Sequence, residues 1–126
     1  MGSDAAEVVR RYFSSWPARD RAGAEAVVAA DFHFTSPLDN RLDREMFFAR
    51  CWPNSEMIRS LELKRVVSDG ATVFVTYELT FKEGHRLRNS EVITVRDNQV
   101  IEVEVYFGWT LPHRAPLGGY LEREEI

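Results

Sequence analysis

The chain has 126 residues, 44% hydrophobic and 12% aromatic, with a net charge of -4. That length bounds it to one domain with enough apolar material for a core and a pocket, and an acidic balance without a basic run excludes nucleic acid as the main partner. The single cysteine, Cys51, excludes an internal disulfide framework, and no apolar stretch approaches a membrane span; a cytoplasmic protein with no membrane partner is expected.

Met1-Gly2-Ser3-Asp4 carries no signal-peptide pattern. Val8, Val9, Tyr12, Phe13 and Trp16 recur at helical spacing, which predicts an amphipathic helix from about residue 4 to 16, closed by Pro17. Asp20 reads as the cap of a second helix over Arg21 to Ala30, with Ala24, Val27 and Val28 turned inward. Asp31 to Ser36 alternates Phe32, Phe34 and Ser36 with His33 and Thr35, a short strand stopped by Pro37. After a turn at Leu38-Asp39-Asn40, Asp43 caps a third helix containing Met46, Phe47, Arg50 and Cys51 and ending near Pro53.

Four alternating runs follow. Ser68-Asp69-Gly70, Lys82-Glu83-Gly84 and Arg96-Asp97-Asn98 separate them, each with Gly or Asn third, the position that turns left-handed in a three-residue hairpin loop. Closing the loops this way pairs Val67 with Ala71, Phe81 with His85 and Val95 with Gln99. One face then carries Leu61, Leu63, Val73, Val75, Tyr77, Leu79, Phe81, Leu87, Asn89, Glu91, Ile93, Val95, Ile101, Val103, Val105, Phe107 and Trp109, with Arg65 near one end. Glu91 falls between Val75 and Val103, and Asn89 between Tyr77 and Val105. Helices that precede such a meander cover its greasy face, which predicts an α+β domain of three helices and a short strand on a four-stranded antiparallel sheet, residues 1–126, with a tail from about 111.

Glu91 is the informative residue. A carboxylate in an apolar row is either paired structurally or kept for chemistry, because burial disfavours its charged form. Arg41, Arg50 or Arg65 would neutralise it if one entered the cavity; otherwise it is a poised acid. Asn89 needs partners for its amide, and Tyr77 stands across the ladder from it. Tyr12 and Trp16 sit on a helix face where core packing accounts for them as readily as a pocket role. His33, His85 and His113 lack ligand spacing, so no metal or other cofactor is expected. The opposite sheet face mixes Glu62, Lys64, Glu78, Arg86, Arg88, Glu102 and Glu104 with Val66, Phe74, Val92 and Tyr106, which fits a homodimer packed sheet to sheet.

The element order, Tyr12 on the first helix, the strand end Phe34-Thr35-Ser36-Pro37, and Glu91 to Asp97 running into Val103 to Trp109 together resemble the nuclear transport factor two-like superfamily. Within it the likeness is to the SnoaL-like group, which includes polyketide cyclases and is related to ketosteroid isomerase. The resemblance implies a cone-shaped curved sheet enclosing a pocket, with Glu91 and Tyr12 as catalytic residues. Trp16, Phe34, Ser36, Phe47, Trp52, Tyr77, Asn89, Val103, Val105 and Trp109 would line that pocket. The isomerase base, an Asp before a Pro at the end of the first strand, falls on Ser36, so steroid isomerisation by that mechanism is not expected. Two readings stay open: an isomerase-, cyclase- or lyase-type enzyme acting on a small apolar carbonyl compound with Glu91 as proton shuttle, or a non-catalytic module that binds a small-molecule ligand or a protein.

Overall fold

The computed structural model describes residues 4–125; Met1 to Ser3 of the N-terminal reading lie outside them. Helix α1 (Ala5–Ala18) begins where the Asp4 carboxylate accepts the Ala6 N–H at 3.1 Å, and it buries Val8, Val9, Tyr12 and Phe13. Pro17 lies inside its last turn, not after it, and the helix ends where Arg19 turns left-handed and its N–H reaches the Ser15 and Trp16 carbonyls. Helix α2 (Arg21–Val27) is capped by Asp20, which accepts the Gly23 N–H at 2.9 Å. It stops three residues short of the expected end, because Val28 opens strand β1 (Val28–Ser36) and pairs with Val100. Sheet pairing overrides the helical preference of the alanines there.

Strand β2 (Asp39–Asp43) follows, where the sequence predicts only a turn. Helix α3 (Arg44–Arg50) is capped by Asp43 on the Met46 N–H at 2.9 Å and continues into a 3-10 turn, Trp52–Met57. The chain then runs through β3 (Ile58–Asp69), β4 (Thr72–Phe81), β5 (Arg86–Arg96) and β6 (Gln99–Leu111). Among the described residues no helix is long and apolar enough to cross a membrane.

The sheet has six strands, not four, in the order β2-β1-β6-β5-β4-β3. Strand β1 lies parallel to β6, with Phe34 beside Val103, and β2 adds antiparallel to β1, with Leu42 beside Phe34. The sheet is therefore mixed. The antiparallel meander would otherwise leave β6 as an open edge with unpaired backbone groups, and the β1–β2 hairpin satisfies them.

The hairpin registers hold one expectation and correct two. Strands β4 and β5 close through the three-residue loop 82–84, which seats Glu91 opposite Val75 and Asn89 opposite Tyr77. The other two hairpins turn through two residues, Gly70-Ala71 and Asp97-Asn98, pairing Asp69 with Thr72 and Arg96 with Gln99. A two-residue turn alone would put apolar and polar rows on the wrong faces, and a bulge in each hairpin, at Lys64 and at Ile101, restores them. Glu91 consequently faces Val105 in place of Val103. Near the β3 tip Val66 packs toward the core opposite Val75, and Arg65 moves outward opposite Thr76.

A further bulge at Gly108 pairs Asn89 with Phe107 but Arg88 with Trp109. It removes Trp109 from the pocket row, leaving it 51% exposed. A side chain at position 108 has no room: a Cβ there would lie 2.0 Å from the Arg88 carbonyl oxygen. Helix α1 covers the inner face of β3 to β6, and Phe32 and Phe47 fill the space between α3 and β1.

Candidate functional site

Between α1, the 3-10 turn, the β1–β2 hairpin and the inner faces of β3 to β6 lies a cavity of about 420 Å³. Phe13, Trp16, Phe34, Leu61, Leu79 and Val105 give it apolar walls. Its polar groups are Tyr12, Ser36, Asp39, Asn54, Tyr77, Asn89 and Glu91, with the thiol of Cys51. Six of the ten residues expected to line a pocket do so: Trp16, Phe34, Ser36, Tyr77, Asn89 and Val105.

The other four do not. Val103 is fully buried in the core, because the β5–β6 register moved Val105 into its place beside Glu91. Phe47 is packed under Phe34 and Phe32 at ring distances of 4.9 and 4.8 Å, and so backs the wall without reaching the cavity. Trp52 is held behind Trp16 at 4.8 Å in the same way, and Trp109 is turned out by the Gly108 bulge.

Hydrogen bonds to Glu91 run in one direction, fixed from the far end. The Gly108 N–H donates to Asn89 Oδ1 at 3.0 Å, which commits the amide oxygen. Asn89 Nδ2 therefore faces Tyr77 and donates to its hydroxyl oxygen at 3.3 Å. The Tyr77 O–H in turn donates to Glu91 Oε2 at 2.7 Å. That leaves Glu91 Oε1 as the atom to carry a proton, and it is buried with no hydrogen-bond partner among the described residues. Burial raises the Glu91 pKa to about 7, the Tyr77 hydrogen bond opposing it only in part.

The three arginines that would have neutralised Glu91 are placed elsewhere. Arg41 lies against Glu102 at 3.4 Å and His33 at 3.1 Å, Arg50 binds Asp39, and Arg65 faces outward. Tyr12 is buried in the cavity wall. Burial first, then the charges of Glu91 and Cys51, raises its pKa well above the usual phenol value, so it remains a neutral hydroxyl. Burial likewise lifts the Cys51 thiol to about 11, which excludes a resident thiolate nucleophile.

Asp39, like Asn54, is a polar residue of the cavity that sequence reasoning passed over. It begins β2 opposite Ser36, whose Oγ–H donates to Asp39 Oδ2 at 2.8 Å, while the Arg50 Nε–H donates to Oδ1. The Leu38 N–H fixes Ser36 from behind at 3.0 Å. Burial acts to raise the Asp39 pKa, but the hydrogen bonds from Arg50 and Ser36 and the charge of Arg50 outweigh it, and the net shift is downward. One cavity thus holds a carboxyl pushed up and a carboxylate pushed down. Among the described residues no group of three or more His, Cys, Asp or Glu is placed to hold a metal.

Compared with known proteins, residues 9–103 match the family model described as a SnoaL-like domain. No curated protein matches the sequence. Among solved structures, a nuclear transport factor two-like protein of unknown function from Cytophaga hutchinsonii aligns with a TM-score of 0.72 at 15% identity, covering 86% of this chain and 93% of its own. A Kribbella flavida protein described as a candidate ketosteroid isomerase aligns with a TM-score of 0.71 at 19% identity over 97% and 87% of the two chains. An epoxide hydrolase of the LEH-like type from M. tuberculosis aligns with a TM-score of 0.71 at 16% identity over 82% and 78%. At these identities the likeness is one of fold alone.

Proposed function

This chain belongs to the SnoaL-like domain family, and we propose that it is a cofactor-independent isomerase- or lyase-type enzyme acting on a small, largely apolar carbonyl compound. The observation that carries the reading is Glu91 Oε1, a buried carboxyl oxygen in an apolar cavity with no hydrogen-bond partner among the described residues. A protonated carboxyl there donates to a carbonyl oxygen at little cost, because no cation holds it ionised. The Gly108-Asn89-Tyr77 chain keeps the proton on the carboxyl oxygen that has no other partner among the described residues, and Tyr12 supplies a second neutral hydroxyl. Apolar walls and a volume within the range of small-molecule sites fit a compact substrate.

With serine at position 36, the steroid isomerase mechanism stays outside this reading. The test is exchange of the α-protons of cyclohexanone in D₂O, followed by proton NMR. Wild type should exchange them above the buffer rate, and Glu91→Gln should slow exchange by roughly 10²-fold or more while keeping the fold. Equal rates in the two proteins would remove the proton-donor role and leave a ligand-binding module.

A further inference from the structure

A proton donor alone does not move a substrate through an enol; something must also take the carbon-bound proton. Serine 36 stands at the strand end and, as a neutral hydroxyl, is too weak a base for that step. Its hydroxyl is directed by two contacts, accepting from the Leu38 N–H at 3.0 Å and donating to Asp39 Oδ2 at 2.8 Å. The group beyond it is a carboxylate whose side chain is nine-tenths buried and which lines the same cavity as Glu91. The β1–β2 hairpin therefore brings a carboxylate to the cavity one residue pairing away from the strand end that lacks it.

We propose that Asp39 is the catalytic base of this site, acting in the same cavity as Glu91, with Ser36 and Arg50 as its positioning residues. The inference rests on the reading of Glu91 as the proton donor. Asp39 takes a proton from a carbon next to the substrate carbonyl, and the C–H electron pair becomes the C=C bond of the enol. The carbonyl oxygen takes the Glu91 proton as its π pair moves onto it. Return of the Asp39 proton to the opposite face of that carbon, or to another carbon conjugated with the enol, with the enol O–H proton going back to Glu91, completes an isomerisation with both carboxyl groups restored. No other reactant is consumed.

Two features favour this over a purely structural clip between β2 and α3. Such a clip needs no cavity-lining carboxylate. The two carboxyl groups are also set apart in the sense that acid and base need: around Asp39 stand Arg50 from α3 and Ser36 from β1, with Cys51 nearby, and its pKa is lowered. Around Glu91 stand Tyr77 from β4 and Tyr12 from α1, with no cation, and its pKa is about 7. From the usual carboxylate range up to about pH 7, Asp39 is ionised and Glu91 protonated together.

The experiment is the pH profile of cyclohexanone α-proton exchange in wild type, Asp39→Asn, Arg50→Gln and Glu91→Gln. Asp39→Asn should lower exchange by roughly 10²-fold or more. Arg50→Gln should keep measurable exchange but move the acid limb of the profile upward in pH, because the charge that holds Asp39 ionised is gone. A structural clip would leave that limb where it is, so an unmoved limb in Arg50→Gln overturns the proposal even if Asp39→Asn folds poorly. Wild-type exchange in Asp39→Asn overturns it too. A loss confined to Glu91→Gln removes Asp39 as base and leaves the proton-donor reading standing, whereas loss in none of the variants removes both.

Discussion

Glu78 and Glu91 are each 7% exposed, on neighbouring central strands, yet they differ in every electrostatic respect. Glu78, on the outer face of β4, receives hydrogen bonds from Arg88 Nε and Arg86 Nη2, both at 3.1 Å, with Lys64 at 4.0 Å. Its cover is the arginine side chains themselves. Arg88 first, then Lys64 and Arg86, hold its pKa low against burial. Glu91, on the inner face of β5, has aliphatic neighbours and the neutral phenols of Tyr77 and Tyr12, and its pKa rises to about 7. Equal exposure thus says nothing about charge state; the partners decide it. The sheet keeps its cations on one face and builds the candidate site on the other.

The sharpest way to break that division is Gly108→Ala. The added methyl meets the Arg88 carbonyl at 2.0 Å, so the bulge must open, Asn89 loses the N–H that orients it, and the inner face loses its directional chain. Chemical denaturation should show a loss of roughly 3 kcal/mol.

Glu91→Gln sharpens the comparison with an effect of opposite sign. The folded pKa lies above the unfolded one, so between about pH 4.5 and 7 the folded state holds a proton that the unfolded chain has released. Stability from Glu91 is thus fully present below that window and is lost as pH rises through it. At pH 8 the glutamine variant should be more stable than wild type by about 3 kcal/mol, from the 1.36 kcal/mol of each pKa unit. By pH 4 the gain should vanish; a gain that persists at pH 4 would mean that the residue is not titrating as described.

Glu78→Gln is the mirror case and the smaller one. A lowered pKa contributes stability above the usual carboxylate range and loses it as pH falls, so this variant should be less stable at pH 7 and converge with wild type in acid. Its arginines are partly exposed, so half-molar salt should erase most of the difference. Salt should leave the Glu91→Gln effect nearly untouched.

The outer face offers one more test, with the smallest expected change in monomer stability. Phe74 and Tyr106 stand about half exposed among its charges. Light scattering at micromolar concentration should give twice the 14.6 kDa chain mass, and Phe74→Asp should return it to a monomer. A monomeric wild type would remove the homodimer.

What was legible in the sequence was local. The period-two alternation put Glu91 and Asn89 on the inner row, and the helical spacing of Val8, Val9, Tyr12 and Phe13 placed α1 over them. Hidden were quantities set by contact between distant segments. Nothing in Asp39-Asn40-Arg41-Leu42-Asp43 alternates or favours a strand; β2 exists because β1 offers it an edge, and Asp39 was read as a turn residue for that reason. Trp109 was placed inward by counting along an unbroken strand, and only the close approach of Gly108 to the Arg88 carbonyl reverses it. Gly70 and Asn98 suit two-residue and three-residue turns alike, so partners could slip while faces beyond the bulges did not.

The tight turns at Gly70-Ala71 and Asp97-Asn98, each matched by a bulge at Lys64 or Ile101, behave as compensated frameshifts of the β-ladder. Lengthening either turn by one residue and deleting the bulged one leaves every inward side chain inward. Homologous chains can therefore carry their length differences at the hairpin tip or within the strand, and an alignment that opens its gap in the wrong one of these two places will exchange inward for outward residues between the bulge and the tip.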